Sequence, residues 1–359
     1  MSRFASLAAR VAALDDAGLR RTLRITQPTS PTTAIVDGRE VTLFCTNDYL
    51  GLAMHPSVVA SYRGGGAGAA RLISGNRPSH VALEEAISAL YGGTATLFPS
   101  GYHANLALFS TLPQRGDSVV SDALNHASII DGLRLSHADR IVLPHGVTPP
   151  SGVRLAVYEG LYSMDGDSPD FSQNPGDTWL AVDEAHAVGA MGPNGRGAAA
   201  MQGITPDFLV GTLGKAYGVA GAFVVGPAEL RELLLSSGRA FVYTTGMPEP
   251  VANAALVAMS LADDERRDRL RSNARRLRSG LSEIGAAVLG VAHIVPVVTG
   301  ERTMAVAKRL FDGGIFAPGI RYPTVPKGAE RVRLTVSAAH TPDQIDRCID
   351  AMGAAIRAG

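Results

Sequence analysis

A lysine between two glycines is the residue of this chain with the clearest chemical potential. Lys215 lies within residues 211–218, between one apolar run and a second that covers residues 220–225. An ammonium group is rarely buried without a partner, and an apolar pocket favours the neutral amine. The neutral amine is a nucleophile that forms Schiff bases with carbonyl compounds. The same spacing also fits a lysine on a solvent-exposed turn.

A second segment, residues 180–189, has the pattern of a short buried strand that ends in polar residues. His186 follows Asp183 by three positions at this end. In open α/β sheets the chemistry gathers at the carboxyl ends of the strands. A carboxylate there can keep a pyridine nitrogen protonated, and a histidine can bind a ring hydroxyl. The alternatives are a strand-end acid with a surface histidine, or less favourably a metal pair, since no further ligand cluster has zinc-like spacing.

Further motifs follow one another along almost the whole chain. They are residues 46–52, 74–75 with His80, 83–84, 99–102, 125–128, 159–167, the two segments above, 321–328 and 331–334. In this order they resemble the α-oxoamine synthases, a branch of the fold-type I pyridoxal-phosphate enzymes. The resemblance implies an α/β fold with a mostly parallel central sheet, helices on both faces and a small C-terminal α+β domain.

Composition restricts the classes of function. Hydrophobic residues make up 46% of the 359 positions, charged residues 18%, and the formal net charge is zero. This balance gives no electrostatic reason to expect nucleic acid or a membrane as a partner. No apolar stretch has membrane-spanning length, and no metal site is expected. Cys45 and Cys348 lie far apart in the sequence, which favours a reduced, cytoplasmic location.

The pattern of elements predicts three parts. Residues 1–45 form an N-terminal helix and a hairpin around Asp37-Gly38, residues 46–245 a large cofactor-binding domain, and residues 246–359 a small C-terminal domain. Seven short strands are predicted at residues 95–98, 118–121, 140–143, 154–158, 179–183, 208–212 and 221–225. Helical patterns between them indicate a parallel sheet. One long helix is predicted over residues 251–284, with its arginines on a solvated face.

The turn at Ser100-Gly101-Tyr102 follows a strand and opens a helix, so its free amides suit a phosphate group. An ordinary strand-to-helix turn has the same pattern. The resemblance implies that the Gly101 and Tyr102 amides bind the phosphate of pyridoxal phosphate. It also implies that His126 stacks on the ring, Asp183 pairs with the ring nitrogen and His186 binds the ring hydroxyl. Lys215 forms the Schiff base, and Ser163 and Thr212 supply hydroxyl groups. Thr244 and Thr245 reach the phosphate of the neighbouring subunit. A homodimer with shared active sites follows from the last of these roles.

Arg333 lies in an Arg-Val-Arg strand pattern and can grip a carboxylate with two parallel hydrogen bonds. By resemblance, Arg333 and Asn47 bind the amino-acid substrate, Lys215 removes the α-proton, and His126 binds the thioester oxygen. Arg331, on the same face of the strand as Arg333, is the alternative to it. The expected reaction is the decarboxylative condensation of L-alanine with pimeloyl-CoA, as in biotin synthesis. Ala70 replaces the serine or threonine usual in the family, which favours alanine over glycine. The alternatives are glycine or serine with another acyl-CoA, and an inactive family subunit.

Overall fold

The N-terminal segment forms an exposed helix followed by a small sheet. A computed structural model describes residues 3–358; Met1 and Ser2 of the predicted N-terminal segment and Gly359 lie outside the described residues. Helix α1 covers Ala5–Asp16, and strands β1 (Thr26–Pro28), β2 (Thr33–Val36) and β3 (Arg39–Leu43) follow it. Asp37 and Gly38 have φ angles of 49° and 79°. Positive φ at both positions is what a two-residue hairpin turn requires, and the predicted hairpin is present.

A seven-stranded sheet forms the centre of the molecule. Its strands are β4 (Thr94–Phe98), β5 (Ser118–Asp122), β6 (Asp139–Leu143), β7 (Leu155–Glu159), β8 (Trp179–Asp183), β9 (Phe208–Thr212) and β10 (Ala222–Gly226), in the order β4-β10-β9-β8-β7-β5-β6. Strand β10 is antiparallel to both neighbours, and the other pairings are parallel. All seven predicted strands are found, and the mostly parallel sheet is confirmed.

Helices cover both faces of this sheet. They are α2 (Pro56–Ala60), α3 (Pro78–Tyr91), α4 (Gly101–Thr111), α5 (Ala127–Leu135), α6 (Ala198–Met201), α7 (Ala228–Ser237) and α8 (Arg239–Val242). Along β8, Leu180 and Val182 belong to one core cluster, while Ala181 belongs to the other. Because alternate strand residues point to opposite faces, this central strand is apolar on both sides. Polar side chains of this strand are therefore expected only at its carboxyl end.

The predicted helix over residues 251–284 is wrong, because two helices occupy that stretch. Helix α9 covers Glu249–Leu261 and α10 covers Asp264–Glu283. The Asp263 side chain accepts a hydrogen bond from the Arg266 amide at 2.8 Å, which caps α10 and fixes the break. Arg267 also departs from the predicted solvated face. It is buried and donates to the Ala262 carbonyl oxygen at 2.6 Å.

The C-terminal part contains a second small sheet. Strands β11 (Ala287–Val288), β12 (Ile294–Val298), β14 (Gly319–Ile320) and β15 (Arg331–Thr335) pair antiparallel in the order β11-β12-β15-β14, and β13 (Ile315–Phe316) pairs with β3. Helices α11 (Thr303–Asp312) and α12 (Pro342–Arg357) pack beside them. Over residues 3–358, no helix has both the length and the apolar character needed to cross a membrane.

Candidate active site

The carboxyl end of β8 places Asp183 in a buried polar cluster. Its Oδ1 accepts a hydrogen bond from the Ala185 amide at 3.0 Å, and its Oδ2 accepts one from Asn105 Nδ2 at 2.7 Å. Asn105 extends from α4 and is itself buried. Two fixed donors therefore orient the Asp183 carboxylate. No motif in the sequence points to a role for Asn105, although it lies one helical turn after Gly101, on the buried side of α4.

Glu184 follows Asp183 directly but has a structural task. Its two carboxylate oxygens accept hydrogen bonds from the Ala198 and Ala199 amides, each at 2.8 Å. Burial raises the pKa of Glu184 to about 7. A Cβ atom at Gly160 would lie 2.0 Å from this carboxylate, and one at Gly197 would lie 2.6 Å from it. The two glycines thus leave the space in which Glu184 holds the start of α6.

His186 lies three residues after Asp183 in a network of buried rings. Its Nδ1 atom is 2.6 Å from the Tyr49 hydroxyl, which in turn lies 3.1 Å from Asn47 Oδ1. The His186 carbonyl oxygen accepts a hydrogen bond from His293 Nε2 at 3.0 Å. Burial holds the pKa of His186 well below its ordinary value, with Lys215 and Arg333 adding to the effect. A neutral His186 with Nδ1 occupied leaves Nε2 for a ligand.

Lys215 is held by a tight turn between β9 and β10. The Gly218 amide donates to the Lys215 carbonyl oxygen at 2.9 Å. Gly218 has a φ of +67°, and a Cβ atom there would lie 2.3 Å from the Ala53 amide nitrogen. Only glycine fits this approach, which brings the lysine turn against residues 52–53. The position between glycines thus reflects packing as well as chemistry.

The electrostatics of Lys215 suit an amine nucleophile. Burial lowers its pKa from 10.5 to about 8, while Asp183 and Glu159 act in the opposite direction and Arg333 adds to the lowering. In the described part of the chain, the Lys215 amine makes no hydrogen bond. A half-buried amine without a partner is available for covalent chemistry.

Glu159, at the end of β7, is a second buried carboxylate that sequence reasoning did not assign. The amides of His126 and Ser163 donate hydrogen bonds to it. Burial and the charge of Asp183 raise its pKa to about 8, against the pull of Lys215. Strands β7 and β8 are adjacent and pair Glu159 with Asp183 in register, so their ends bring these carboxylates together. Glu159 thereby connects the loops that carry His126 and Ser163 to the end of β7, beside Asp183.

The N-terminus of α4 has free backbone amides at the predicted phosphate site. Ser100 Oγ accepts from the His103 amide at 3.3 Å, so the cap does not occupy the two preceding amides. Within residues 3–358, the Gly101 and Tyr102 N–H groups have no hydrogen-bond partner. Free amides at the positive end of a helix dipole bind phosphate well. A Cβ atom at Gly101 would meet open space, so the backbone is accessible there.

The two predicted hydroxyl donors differ in availability. Thr212, at the end of β9, donates to the Gly221 carbonyl oxygen at 3.1 Å and accepts from the Gly214 amide at 3.2 Å. Its hydroxyl therefore already holds the lysine turn closed, and a bond to a ligand requires this donor to turn away. Ser163 is half-buried, and its carbonyl oxygen accepts a hydrogen bond from Arg333 Nε. Among residues 3–358 its hydroxyl has no hydrogen-bond partner.

His126 begins α5 as its N-cap residue. Its Nδ1 atom accepts from the Ser128 amide at 3.3 Å and lies 2.7 Å from Ser128 Oγ. The ring is exposed and forms an edge contact with Tyr102, 6.4 Å between centroids. The helix-start and ring-stacking interpretations are compatible here, because the cap uses one ring nitrogen and leaves the ring face open.

Arg333 lies in β15, next to the lysine turn in space. It is buried and contacts the Tyr49 hydroxyl, and its charge lowers the pKa of Lys215. Arg331, the predicted substitute, is engaged elsewhere, since it forms an ion pair with Asp165 at 2.6 Å and donates to the Met164 carbonyl oxygen at 3.1 Å. Arg333 is thus the better placed of the two for a substrate carboxylate.

Thr244 and Thr245 are the predicted residues that this chain does not bring to the lysine. Neither forms a hydrogen bond with the lysine cluster in the described residues, and Thr245 is exposed. The Gly246 amide that follows donates to the Ala69 carbonyl oxygen at 3.0 Å. Beside the loop that carries Ala70, Thr245 is therefore exposed and Thr244 is half-buried.

These residues fit one cofactor. A lysine amine that is partly uncharged near neutral pH can hold a carbonyl compound covalently. The buried carboxylate and the free helix amides suit a protonated ring nitrogen and a phosphate, both of which pyridoxal phosphate has. No group of three or more potential metal ligands occurs among residues 3–358. The fold and the site together define a fold-type I pyridoxal-phosphate enzyme.

Comparison with known proteins identifies the family. The chain belongs to the aminotransferase class I and II family, whose model matches residues 39–149 and 170–352. It is 44% identical to a putative 8-amino-7-oxononanoate synthase of Desulforudis audaxviator over 370 aligned positions, which cover 96% of each chain. It is 40% identical to the 8-amino-7-oxononanoate synthase of Thioalkalivibrio sulfidiphilus, with 95% of this chain and 94% of the relative covered.

Solved structures agree with this assignment. Serine palmitoyltransferase of Sphingomonas wittichii superimposes with a TM-score of 0.91 at 31% identity, covering 99% of this chain and 98% of the other. An 8-amino-7-oxononanoate synthase of Francisella tularensis gives a TM-score of 0.76 at 27% identity, covering 89% and 98%. Relatives and structures together make the chain a pyridoxal-phosphate-dependent α-oxoamine synthase.

Proposed function

We propose that this enzyme condenses L-alanine with pimeloyl-CoA to give 8-amino-7-oxononanoate, CoA and CO2. The relatives named for this product span nearly the whole chain. The observation that carries the choice of acyl group is a cavity of about 690 Å³ between residues 14–22 and the loop 318–324. Pimeloyl is a medium-length acyl chain that ends in a free carboxylate, so a matching site needs both apolar walls and a cation.

The lining of this cavity has both properties. Leu14, Leu19 and Met304 supply apolar surface, and Arg21 and Arg321 supply guanidinium groups. Neither of these two guanidinium groups has an ion-pair or hydrogen-bond partner among the described residues. Unpaired guanidinium groups favour a ligand with a terminal carboxylate. A palmitoyl chain has no such group and would leave both arginines unused.

The cavity adjoins the strand that carries Arg333. Gly319 and Ile320 of β14 pair with Val332 and Arg331 of β15, and the Arg333 amide donates to the Pro318 carbonyl oxygen at 3.2 Å. The cavity wall and the substrate-carboxylate site thus share one backbone segment. This arrangement supports an acyl chain that runs from the cavity toward Lys215.

In the proposed reaction each residue acts on a stated group. When bound, pyridoxal phosphate would supply an electron sink for the α-carbon of the amino acid. Arg333 and the side-chain amide nitrogen of Asn47 hold the carboxylate, which orients the α-proton toward the Lys215 amine. Lys215 takes that proton as general base, and Asp183 keeps the ring nitrogen protonated. His126 donates a hydrogen bond to the thioester oxygen as charge develops there.

We also propose a homodimer in which each copy completes the other's site. The Gly246–Ala69 hydrogen bond joins the segment of Thr244 and Thr245 to the loop of Ala70, and both lie at the surface. Nearby apolar side chains are unusually exposed: Leu72 at 48%, Ile73 at 81% and Tyr243 at 76%. Covering this surface with a second copy buries these side chains and brings the threonines to the partner's phosphate.

A second candidate reaction is the condensation of serine with a long acyl-CoA. It is supported by the TM-score of 0.91 with serine palmitoyltransferase. The amino-acid pocket distinguishes the two reactions. Ala70 in the neighbouring copy leaves room for the methyl group of alanine but offers no partner for the hydroxyl group of serine. An apolar methyl pocket discriminates by about 1–3 kcal/mol, so alanine should exceed glycine by roughly tenfold to a few hundredfold.

The test measures release of the CoA thiol with acetyl-, succinyl-, pimeloyl- and palmitoyl-CoA, each combined with alanine, glycine and serine. We expect pimeloyl-CoA with alanine to turn over fastest. Arg21→Ala and Arg321→Ala should raise the KM for pimeloyl-CoA and leave that for alanine unchanged, whereas Arg275→Ala, on the outer side of α10, serves as control. Faster turnover of serine with palmitoyl-CoA would refute the proposal and favour the second reaction. The absence of any turnover from cofactor-loaded protein would indicate an inactive subunit.

A further inference from the structure

A buried polar chain connects His126 with Asp183, and none of the roles above uses it. Asp183 Oδ2 lies 2.7 Å from Asn105 Nδ2, which lies 2.9 Å from Ser128 Oγ. Ser128 Oγ lies 2.7 Å from His126 Nδ1. Asn105 and Ser128 are buried, with 2% and 0% of their surface exposed. Water therefore has little access to the two middle members of the chain, so their hydrogen bonds define the donors and acceptors.

The direction of each hydrogen bond follows from the groups involved. An ionised carboxylate only accepts, so Asn105 must turn its amide nitrogen, and not its oxygen, toward Asp183. The second hydrogen of the same nitrogen points to Ser128 Oγ, which accepts it. The Ser128 hydroxyl proton is then free to donate to His126 Nδ1. The Ser128 backbone amide, which can only donate, reaches the same Nδ1 atom at 3.3 Å.

Two donors thus converge on His126 Nδ1, and this atom has no room for a proton of its own. We propose that the Asp183–Asn105–Ser128 chain fixes His126 as the neutral tautomer with its proton on Nε2. In this form His126 is a hydrogen-bond donor at the exposed edge of its ring and cannot remove a proton through Nδ1. Asn105 and Ser128 are positioning residues for this donor. The tautomer does not depend on the substrates, whereas the donation to a thioester oxygen rests on the proposed function.

The charges around His126 agree with a neutral ring. Partial desolvation by the surrounding protein lowers the pKa of His126, while Asp183 raises it and Lys215 lowers it further. Because the net effect is a lowering, the ring is uncharged at neutral pH, and only the position of its single proton remains to be set. The converging donors set that position. Lys215 is therefore the base, and His126 is the hydrogen-bond donor.

The tautomer can be read directly from the nitrogen-15 resonances of histidine side chains. The measurement uses cofactor-loaded enzyme labelled at histidine nitrogens, without substrates, and the His126→Gln variant identifies the signals of His126. We expect Nδ1 to be unprotonated and Nε2 protonated from pH 7 to 8. A protonated Nδ1 in the unaltered enzyme would overturn the proposal, whether or not the proposed reaction is correct.

Ser128→Ala tests the role of the chain. We expect a mixture of tautomers at His126 and a fall in kcat of roughly five- to tenfold, since one hydrogen bond to the ring is lost. Ser136→Ala removes a buried hydroxyl at the end of the same helix, where Ser136 Oγ donates to the Leu133 carbonyl oxygen at 2.8 Å, and should change neither. A lower kcat with an unchanged His126 spectrum would show a merely structural effect and overturn the chain. A changed spectrum with unchanged kcat would overturn the donor role.

Asn105→Ala provides the same test from the other end. It removes the donor to Ser128 Oγ and one of the two donors to Asp183, so the Ser128 hydroxyl is released from its fixed direction. We expect the same tautomer mixture, together with a shift in the visible absorbance of the bound cofactor. Wild-type spectra of both His126 and the cofactor in this variant would refute the connection between the two residues.

Discussion

Raising the pH of cofactor-free protein should make Lys215 reactive well before the other lysines of the chain. The chain has only two others, Lys308 and Lys327, and both are exposed. The pKa of Lys215 lies at about 8 instead of 10.5, mainly through burial. The difference of about 2.5 in pKa corresponds to a factor of about 300 in free amine near neutral pH. The amine form of Lys215 grows as the pH rises through 8.

The assay labels amines with an acylating reagent between pH 6 and 10, and mass spectrometry of the digested protein gives the extent of modification at each lysine. Two variants should move the midpoint of Lys215 in opposite directions. Asp183→Asn removes a negative charge that raises the pKa, so the midpoint should fall below 8. Arg333→Ala removes a positive charge that lowers the pKa, so the midpoint should rise. A midpoint near 10.5, or movement in the same direction in both variants, would refute this account of the lysine's environment.

Three further substitutions test the roles proposed for the site. Asp183→Asn should lower kcat at least tenfold, because a charged hydrogen bond contributes about 1.5–3 kcal/mol, whereas exposed Asp170→Asn should not; near-normal turnover would exclude the ring-nitrogen role. Arg333→Ala should leave the cofactor bound, but the alanine concentration needed for the change in the visible spectrum should rise about a hundredfold. A normal titration would exclude Arg333 as the partner of the substrate carboxylate. Thr245→Ala should weaken cofactor binding on the order of tenfold by equilibrium dialysis, and a monomer that binds the cofactor fully would contradict the shared site.

The sequence predicts the parts of the site that depend on strand ends. Asp183 and Lys215 stand where buried apolar runs stop, so their positions follow from pattern alone. Asn105, Ser128 and Glu159 could not be assigned in this way, because their contacts arise only when α4, α5 and β7 pack around β8. The hydroxyl of Thr212 is a similar case, since its partner is the carbonyl group of Gly221, just before the next strand, β10.

The errors in the C-terminal part have a different origin. The acidic run that begins at Asp263 is a typical helix start, but the continuous helical pattern on both sides of it predicted a single helix. Arg267 has the composition of a surface residue, and its burial depends on the Ala262 carbonyl oxygen that this same break exposes. One unrecognised helix cap therefore accounts for both differences.

The hydrogen bonds between Glu184 and the Ala198 and Ala199 amides limit which substitutions this enzyme tolerates. Gly160 begins the loop that leads to Ser163, and Gly197 directly precedes α6, so one carboxylate packs against two stretches of chain 37 positions apart in numbering. A side chain at either glycine displaces that carboxylate, and a shorter or neutral residue at 184 leaves the Ala198 and Ala199 amides without an acceptor. Mutant libraries that vary one of these three positions at a time will therefore yield few folded clones. Combinatorial libraries that vary all three together have a route to a different, working junction.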